Sequence, residues 1–483
     1  MTQNPNASAP VAKTDHPQAS PHLQRGLSNR HIQLIAIGGA IGTGLFLGSA
    51  KTLQLTGPSI VLTYAIIGLV IFLVMRTMGE ILLSKTGYKS FTDYISDILG
   101  PRAGFFVAWS YWFFWVTTGI ADVIAITTYV NFWFPDLDPR IPAFIVIVAL
   151  LALNLPSVKN FGEIEFWFAI IKLVAISLLI LVGFWMVIIG FSANGHTASV
   201  SNIWAHGGIF PHGLMGFLDS FQIALFAFVG AELVGAAVAE THEPEKTLPK
   251  AINAVPARIV IFYALPLLAI VMVTPWNQLD PSISPFVSTF AMAGIGIAAG
   301  LVNFVVLTSA ASSANSGIFS TSRMIYGLAD DGNAPSFLKK LSKNGVPQNA
   351  LYLTCVLLLF SLVMLTYGDS VINAFTLVTA VATLMGIFTW MMMLIAYIVY
   401  RAKFPERHAA STYKVPGGVI SAWVGLVFFV IMILAYLAQD DTRTALIYCP
   451  IWFLGVWAVY EIMRKRHARK AAAQSEQLES SQS

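Results

Sequence analysis

About twelve apolar runs divide this chain, each near the roughly 20 residues that a helix needs to cross a hydrocarbon core of about 30 Å. They fall near Ile32–Gly48, Ile60–Leu83, Gly104–Val130, Ile141–Leu155, Ile164–Ile189 and Leu214–Val238. A second set lies near Ile252–Val273, Phe286–Leu328, Ala350–Tyr367, Val371–Tyr400, Val419–Leu437 and Ala445–Ile462. At about 1.5 Å per residue the eighth run is too long for one span, so an interfacial helix around Phe286–Gly294 is expected ahead of it. Only 11% of residues are charged and 56% are hydrophobic, whereas a soluble chain carries about a quarter charged. A larger core cannot absorb that deficit, because long soluble chains split into domains with new wet surfaces. The fold class is all-α and polytopic, with a lipid bilayer as its solvent.

Lys and Arg placement orients the spans. One set of connections holds Lys85, Lys89, Arg102, Lys159, Lys246, Lys250, Lys339, Lys340, Lys343, Arg401, Lys403, Arg407 and Lys414. The other holds only Lys51, Arg140 and Arg443. The rich side is cytoplasmic and takes both termini with it. Residues 1–24 and 467–483 are polar and read as disordered cytoplasmic tails around a transmembrane domain over 25–466. Met1–Leu23 has no apolar central region of the kind found in a cleaved leader.

Several function classes fall away. The connections are short, with no Walker loop and no strand-borne G-x-G-x-x-G, so an ion gradient is left as the source of work. A net charge of +4 is too small to suggest nucleic acid. Cys355 and Cys449 lie in apolar stretches, and the nine histidines lie in tails, loops or, for His31, at a span end. Neither a metal site nor a cofactor is expected, and a membrane-embedded enzyme lacks its nucleophile–base set. A sensor would be expected to carry a sizeable soluble output region.

Two spans break the helix rules. Gly38-Gly39-Ala40-Ile41-Gly42-Thr43-Gly44 holds four glycines in seven residues, at about 1 kcal/mol each relative to Ala in a helix. The sixth span carries Phe228-Val229-Gly230-Ala231-Glu232-Leu233-Val234-Gly235. These glycines could simply let helices pack closely. Interrupted helices at matching positions of two halves also mark a transporter site between inverted repeats. Exposed N–H groups at a half-helix N-terminus bind a carboxylate, Thr43 adds a hydroxyl, and exposed carbonyls of the sixth span suit an ammonium. That chemistry fits an amino acid.

Ionisable groups within spans are costly and therefore functional candidates. Lys172 lies about two turns inside the fifth span, where burial would let it exchange a proton or where it could snorkel to the interface. Glu232 follows the sixth-span break and could bridge helices or take a proton. Asp122 is deep in the third span and could face substrate or pair with another span. Arg76 and Glu80, four apart, are expected to form a salt bridge on one face of the second span. Glu163 and Glu165 are expected at the cytoplasmic end of the fifth. In the eighth span Ser309, Ser312, Ser313, Asn315 and Ser316 form a face too polar for lipid, suited to solute contact or to interhelical hydrogen bonds.

The run from Arg30 through Gly38-Gly39-Ala40-Ile41-Gly42-Thr43-Gly44 to Phe46 resembles the opening signature of bacterial amino acid permeases of the amino acid–polyamine–organocation superfamily. Ser309–Gly317 and Ser320-Thr321-Ser322-Arg323-Met324 agree with it, and the resemblance runs from about Arg25 to Arg466. It implies two five-helix inverted repeats with broken helices 1 and 6, plus two further helices, in a bacterial inner membrane. It puts the substrate carboxylate on Ile41, Gly42, Thr43 and Gly44, and the ammonium on carbonyls around Phe226, Ala227 and Val229, with Phe228 near the gate. Lys172 matches a fifth-helix lysine that stands in for sodium in proton-coupled relatives. Thr117–Val123 and Asn131–Asp136 look like permeases for the smallest substrates, although permeases for larger amino acids carry Glu where Asp122 stands. The expectation is a secondary transporter importing a small neutral amino acid (glycine, D-alanine, D-serine) with a proton by alternating access. Lys172 and Glu232 are its candidates for proton coupling, and Asp122, Ser312 and Ser313 its further site candidates. An exchanger of the same fold, or a permease for other neutral amino acids, is the alternative.

Overall fold

The computed structural model of the chain describes residues 41–482 apart from positions 86, 89, 157, 194, 237–242, 293–295, 369 and 439. Gly38, Gly39 and Ala40, and the tail expected over 1–24, lie outside the described residues.

Regular structure among the described residues is almost entirely helical; a two-stranded hairpin pairs Ser192–Ala193 with His196–Thr197 after the fifth span. Eight helices are long and apolar enough to cross a membrane, and Arg140–Asn154, Gly213–Phe226 and Val419–Ala435 are shorter apolar helices. Thr43–Ser84 is two spans rather than one, because the chain turns sharply at Gly57–Ser59, where Gly57 takes φ +61° and Pro58 starts a tight turn. A Cβ on Gly57 would lie 2.5 Å from Pro211 Cγ, so both backbone and space require glycine. Among the described residues this gives twelve apolar spans in the expected order, the first of them described only from Ile41. The helix expected ahead of the eighth span is present as Pro285–Met292 and precedes Gly296–Asp330.

Position in the bundle follows composition. The third span, Pro101–Asn131, is 83% buried over its apolar window and packs against the eighth and the tenth, Val371–Lys403. The twelfth is only 11% buried over its window, which puts it at the periphery. The fifth, Val158–Ile188, turns Trp167, Leu178, Leu181 and Trp185 outward and Lys172, Ile176 and Leu179 inward. The last helix, Asp440–Gln482, continues through residues expected to be a disordered tail, where Ala471–Ala473, Gln474, Glu476 and Gln477 are strong helix formers.

Both expected interruptions show irregular backbone among the described residues. The first span is extended at Gly42, forms Thr43–Phe46, and resumes as Gly48–Thr56. The sixth stops at Phe226 and resumes as Leu233–Ala236, so its break starts one residue before the expected run. A third irregularity was not anticipated: the seventh span widens into a π-turn at Val260–Ala264 just before Pro266. Proline there has no N–H to donate and its ring crowds the preceding turn, which a wider turn accommodates.

The expected Arg76–Glu80 pair does not form. Arg76 donates to Asn253 Oδ1 and to the Lys414 carbonyl, and stacks on the Tyr413 ring. Glu80, fully buried, accepts from His408 Nδ1 at 2.5 Å, Tyr397 Oη at 3.1 Å and the Val415 N–H at 2.8 Å. The loop after the tenth span folds back over the second and takes both partners, a long-range event that i,i+4 spacing cannot foresee. Glu80→Ala would leave three donors unpaired at about 1–3 kcal/mol for each buried group. We expect the thermal midpoint of the purified variant to fall by several degrees, which a detergent-solution melt would measure.

Candidate functional site

The site is built where the two interruptions touch. A Cβ on Gly44 would lie 2.6 Å from both the N and Cα of Ala227, so the first and sixth spans meet backbone to backbone. At Gly42 a Cβ would meet Ser313 Oγ at 3.2 Å, bringing the eighth span to the same point. Only glycine permits the first of these approaches. The broken helix also frees backbone groups in a buried place, where each must find a partner.

Lys172 supplies one. Its Nζ donates to the Ile41 carbonyl at 3.1 Å and to Ser312 Oγ at 3.3 Å, and Ser309 Oγ donates to the same carbonyl at 3.0 Å. Lys172 is 1% exposed, so it does not snorkel. Thr43 Oγ1 donates to Asp122 Oδ1 at 2.6 Å, tying the first span to the third. The other oxygen, Asp122 Oδ2, is buried with no direct hydrogen-bond partner among the described residues, with the Ser313 hydroxyl of the eighth span beside the carboxylate.

The sixth-span break is a run of i→i+3 turns over Ala224–Gly230, with Gly230 at φ +93°. Phe226, Ala227, Phe228 and Val229 are all buried. The Ala227 carbonyl accepts from Tyr263 Oη at 3.1 Å, and Tyr263 belongs to the π-turn of the seventh span. Its ring stacks on Phe228 at 5.0 Å, and Tyr64 closes a three-ring cluster, 5.8 Å from Phe228 and 5.9 Å from Tyr263. Tyr64 Oη in turn reaches the Gly44 carbonyl at 3.5 Å. Glu232 is the last residue of the break and accepts from Tyr111 Oη of the third span at 3.1 Å.

Glu165 lies near the start of the fifth span, as expected there, but it is not a surface marker. It is 2% exposed and accepts from Ser312 Oγ at 2.6 Å and Asn315 Nδ2 at 2.8 Å. Asn154 Nδ2 holds Asn315 Oδ1 at 2.7 Å from the fourth span. The available signal was its spacing: seven residues, two helical turns, separate Glu165 from Lys172 on one face. Tyr64, Tyr111 and Tyr263 had no such signal, because aromatic residues in spans are usually packing. The structure thus gathers Ile41, Gly42, Thr43, Gly44, Asp122, Lys172, Ser312 and Ser313 around the first break, and sets Glu232 apart, at the far end of the second.

Cys355 and Cys449 are buried free thiols, and no cluster of metal-ligating side chains occurs among the described residues. A cavity of about 520 Å³ lies at the ends of the third and eighth spans, lined by Thr127, Asn131, Ser284, Asn303 and Ser370 among others.

Residues 31–473 match the family described as amino acid permease. The chain is 54% identical over 459 residues to the D-serine/D-alanine/glycine transporter of Escherichia coli (strain K12), covering 95% of this chain and 98% of that protein. It is 47% identical over 444 residues to the amino-acid permease AapA of Bacillus subtilis (strain 168), covering 92% and 96%. Agreement along the whole bundle means that the chain belongs to the amino acid permease family, whose members carry amino acids across membranes and are not enzymes.

Proposed function

We propose that this permease imports glycine, D-alanine and D-serine together with a proton, by alternating access across a bacterial inner membrane with both termini in the cytoplasm. The observation that carries the reading is the pairing of a broken first span with a buried lysine on its free carbonyl and a buried carboxylate on its threonine. The first N–H groups of a helix have no partner within it, so those at Gly42, Thr43 and Gly44 suit a substrate carboxylate. Asp122 Oδ2 suits the ammonium or a serine hydroxyl. The close approaches at Gly42 and Gly44 leave little room beside the backbone, which favours a side chain no larger than methyl or hydroxymethyl. The substrate named for the Escherichia coli relative points the same way. Protonated Lys172 holds the fifth span to the first and eighth, and loss of its proton to the cytoplasm releases that hold.

The test of substrate class is competition against labelled glycine in proteoliposomes. D-alanine and D-serine should compete near the glycine KM, and leucine and phenylalanine should not. Equal competition by the large side chains would contradict the assignment. In the same assay, Thr43→Val should raise the glycine KM at least tenfold, because a hydrogen bond to a charged group is worth about 1.5–3 kcal/mol. Thr43→Ser, which keeps the hydroxyl, should recover most of that loss.

A further inference from the structure

The fifth and eighth spans hold an unbroken line of polar atoms that the transport reading has not used. Lys172 Nζ donates to Ser312 Oγ at 3.3 Å, and Ser312 Oγ donates to Glu165 Oε2 at 2.6 Å. Lys172 and Glu165 are on one helix, seven residues and about 10 Å apart along its axis. A side chain from another helix therefore bridges them midway. All three residues are buried, at 1%, 1% and 2% exposure for Lys172, Ser312 and Glu165. Glu165 lies on the side of Lys172 nearer the start of the fifth span, the end that the charge pattern turns to the cytoplasm.

We propose that Glu165 is the proton's way out from Lys172, reached through the hydroxyl of Ser312. The proposal rests on the proton-coupling reading of Lys172. In the step, an N–H bond of the Lys172 ammonium breaks as its proton bonds to Ser312 Oγ. The proton that Ser312 was donating passes at the same time to Glu165 Oε2. Lys172 and Glu165 are then both neutral, and Ser312 still carries one proton. Glu165 releases its proton to water on the cytoplasmic side and becomes a carboxylate again. Ser312 rotates back, and Lys172 is recharged from the other side.

Three features suit a relay better than a fixed ion pair. Ser312 stands between the charges and is the one group that both donates and accepts. The second oxygen of Glu165 is held by Asn315, itself held by Asn154, so the carboxylate stays aimed while neutral amides rather than cations support it. Lys172 and Glu165 act on each other, and Asp122 acts on Lys172 from the third span. The seventh span meets this same face of the fifth farther along the helix, with Ala269 and Val273 at Gly183. When the proton crosses, Lys172 loses the charge that holds the Ile41 carbonyl, so release of the first span and departure of the proton become one event.

The test uses the full chain in proteoliposomes and compares glycine accumulation driven by a proton gradient with glycine counterflow, which needs none. Glu165→Gln and Ser312→Ala should each lower driven accumulation at least tenfold more than they lower counterflow. Ser312→Thr, which keeps a hydroxyl, should hold that ratio near the wild-type value, and this conservative pair decides the matter where Glu165→Gln folds poorly. A wild-type ratio in Glu165→Gln or in Ser312→Ala overturns the relay and leaves the role of Lys172 standing. Equal loss of both activities also overturns it, because Glu165 would then be structural. A wild-type protein that ignores the gradient removes the coupling reading itself, and the relay with it.

Discussion

Lys172→Gln is expected to hold no more glycine inside proteoliposomes than outside, whatever proton gradient is imposed. Glutamine is nearly as long and can still donate to the Ile41 carbonyl, so the hydrogen bond survives while the charge and its proton do not. What remains is Glu165 and Asp122 in a buried place without their cation. Breaking a buried charge cluster by removing one member costs about 3–5 kcal/mol. That figure corresponds to a factor of roughly one hundred to several thousand in the balance between the two arrangements of the fifth span. The measurement is steady-state accumulation of labelled glycine, normalised to reconstituted protein. Accumulation by the variant at the wild-type level would place the proton elsewhere, with Glu232 the next buried acid to test.

The second large effect lies at the contact of the two breaks. Gly44→Ala inserts a methyl 2.6 Å from the Ala227 backbone, which has no rotamer with which to give way. Overpacking of this kind costs typically 1–3 kcal/mol. About 2 kcal/mol against the arrangement in which the spans touch would slow uptake about thirtyfold. Gly42→Ala is the matched control. Its methyl would meet Ser313 Oγ at 3.2 Å, and a serine can turn, so its loss should stay within about threefold. Initial uptake rates, with a thermal melt to show that both variants fold, make the comparison. Equal rates for the two variants would mean that the backbones do not meet during transport.

Both breaks, the deep lysine and the number of spans were legible because each violates or satisfies a local rule. Four glycines in a span, a cation two turns inside lipid and apolar runs of fixed length need no partner to be noticed. The residues that escaped are those whose roles are set by distant partners. Glu165 lies only a few residues from Glu163 near a span end, and charge there reads as an interface marker. It is buried because Ser312 and Asn315 meet it from a helix 147 and 150 residues away. Glu80 reads as the i,i+4 partner of Arg76, yet His408 and Val415 claim it across 328 and 335 residues. Tyr263 was hidden for another reason. Its position depends on a π-turn forced by Pro266, and sequence periodicity carries no sign of a single widened turn.

The central claim is that a proton gradient drives small amino acids inward through this site. The direct measurement is uptake of labelled glycine into proteoliposomes, with an acid exterior or with equal pH on both sides, each with and without a protonophore. The account predicts accumulation above the external concentration only with the acid exterior, and its collapse when the protonophore is added. Uptake that stops at equal concentrations and ignores both the gradient and the protonophore would contradict it, and would leave a facilitator or an exchanger in its place.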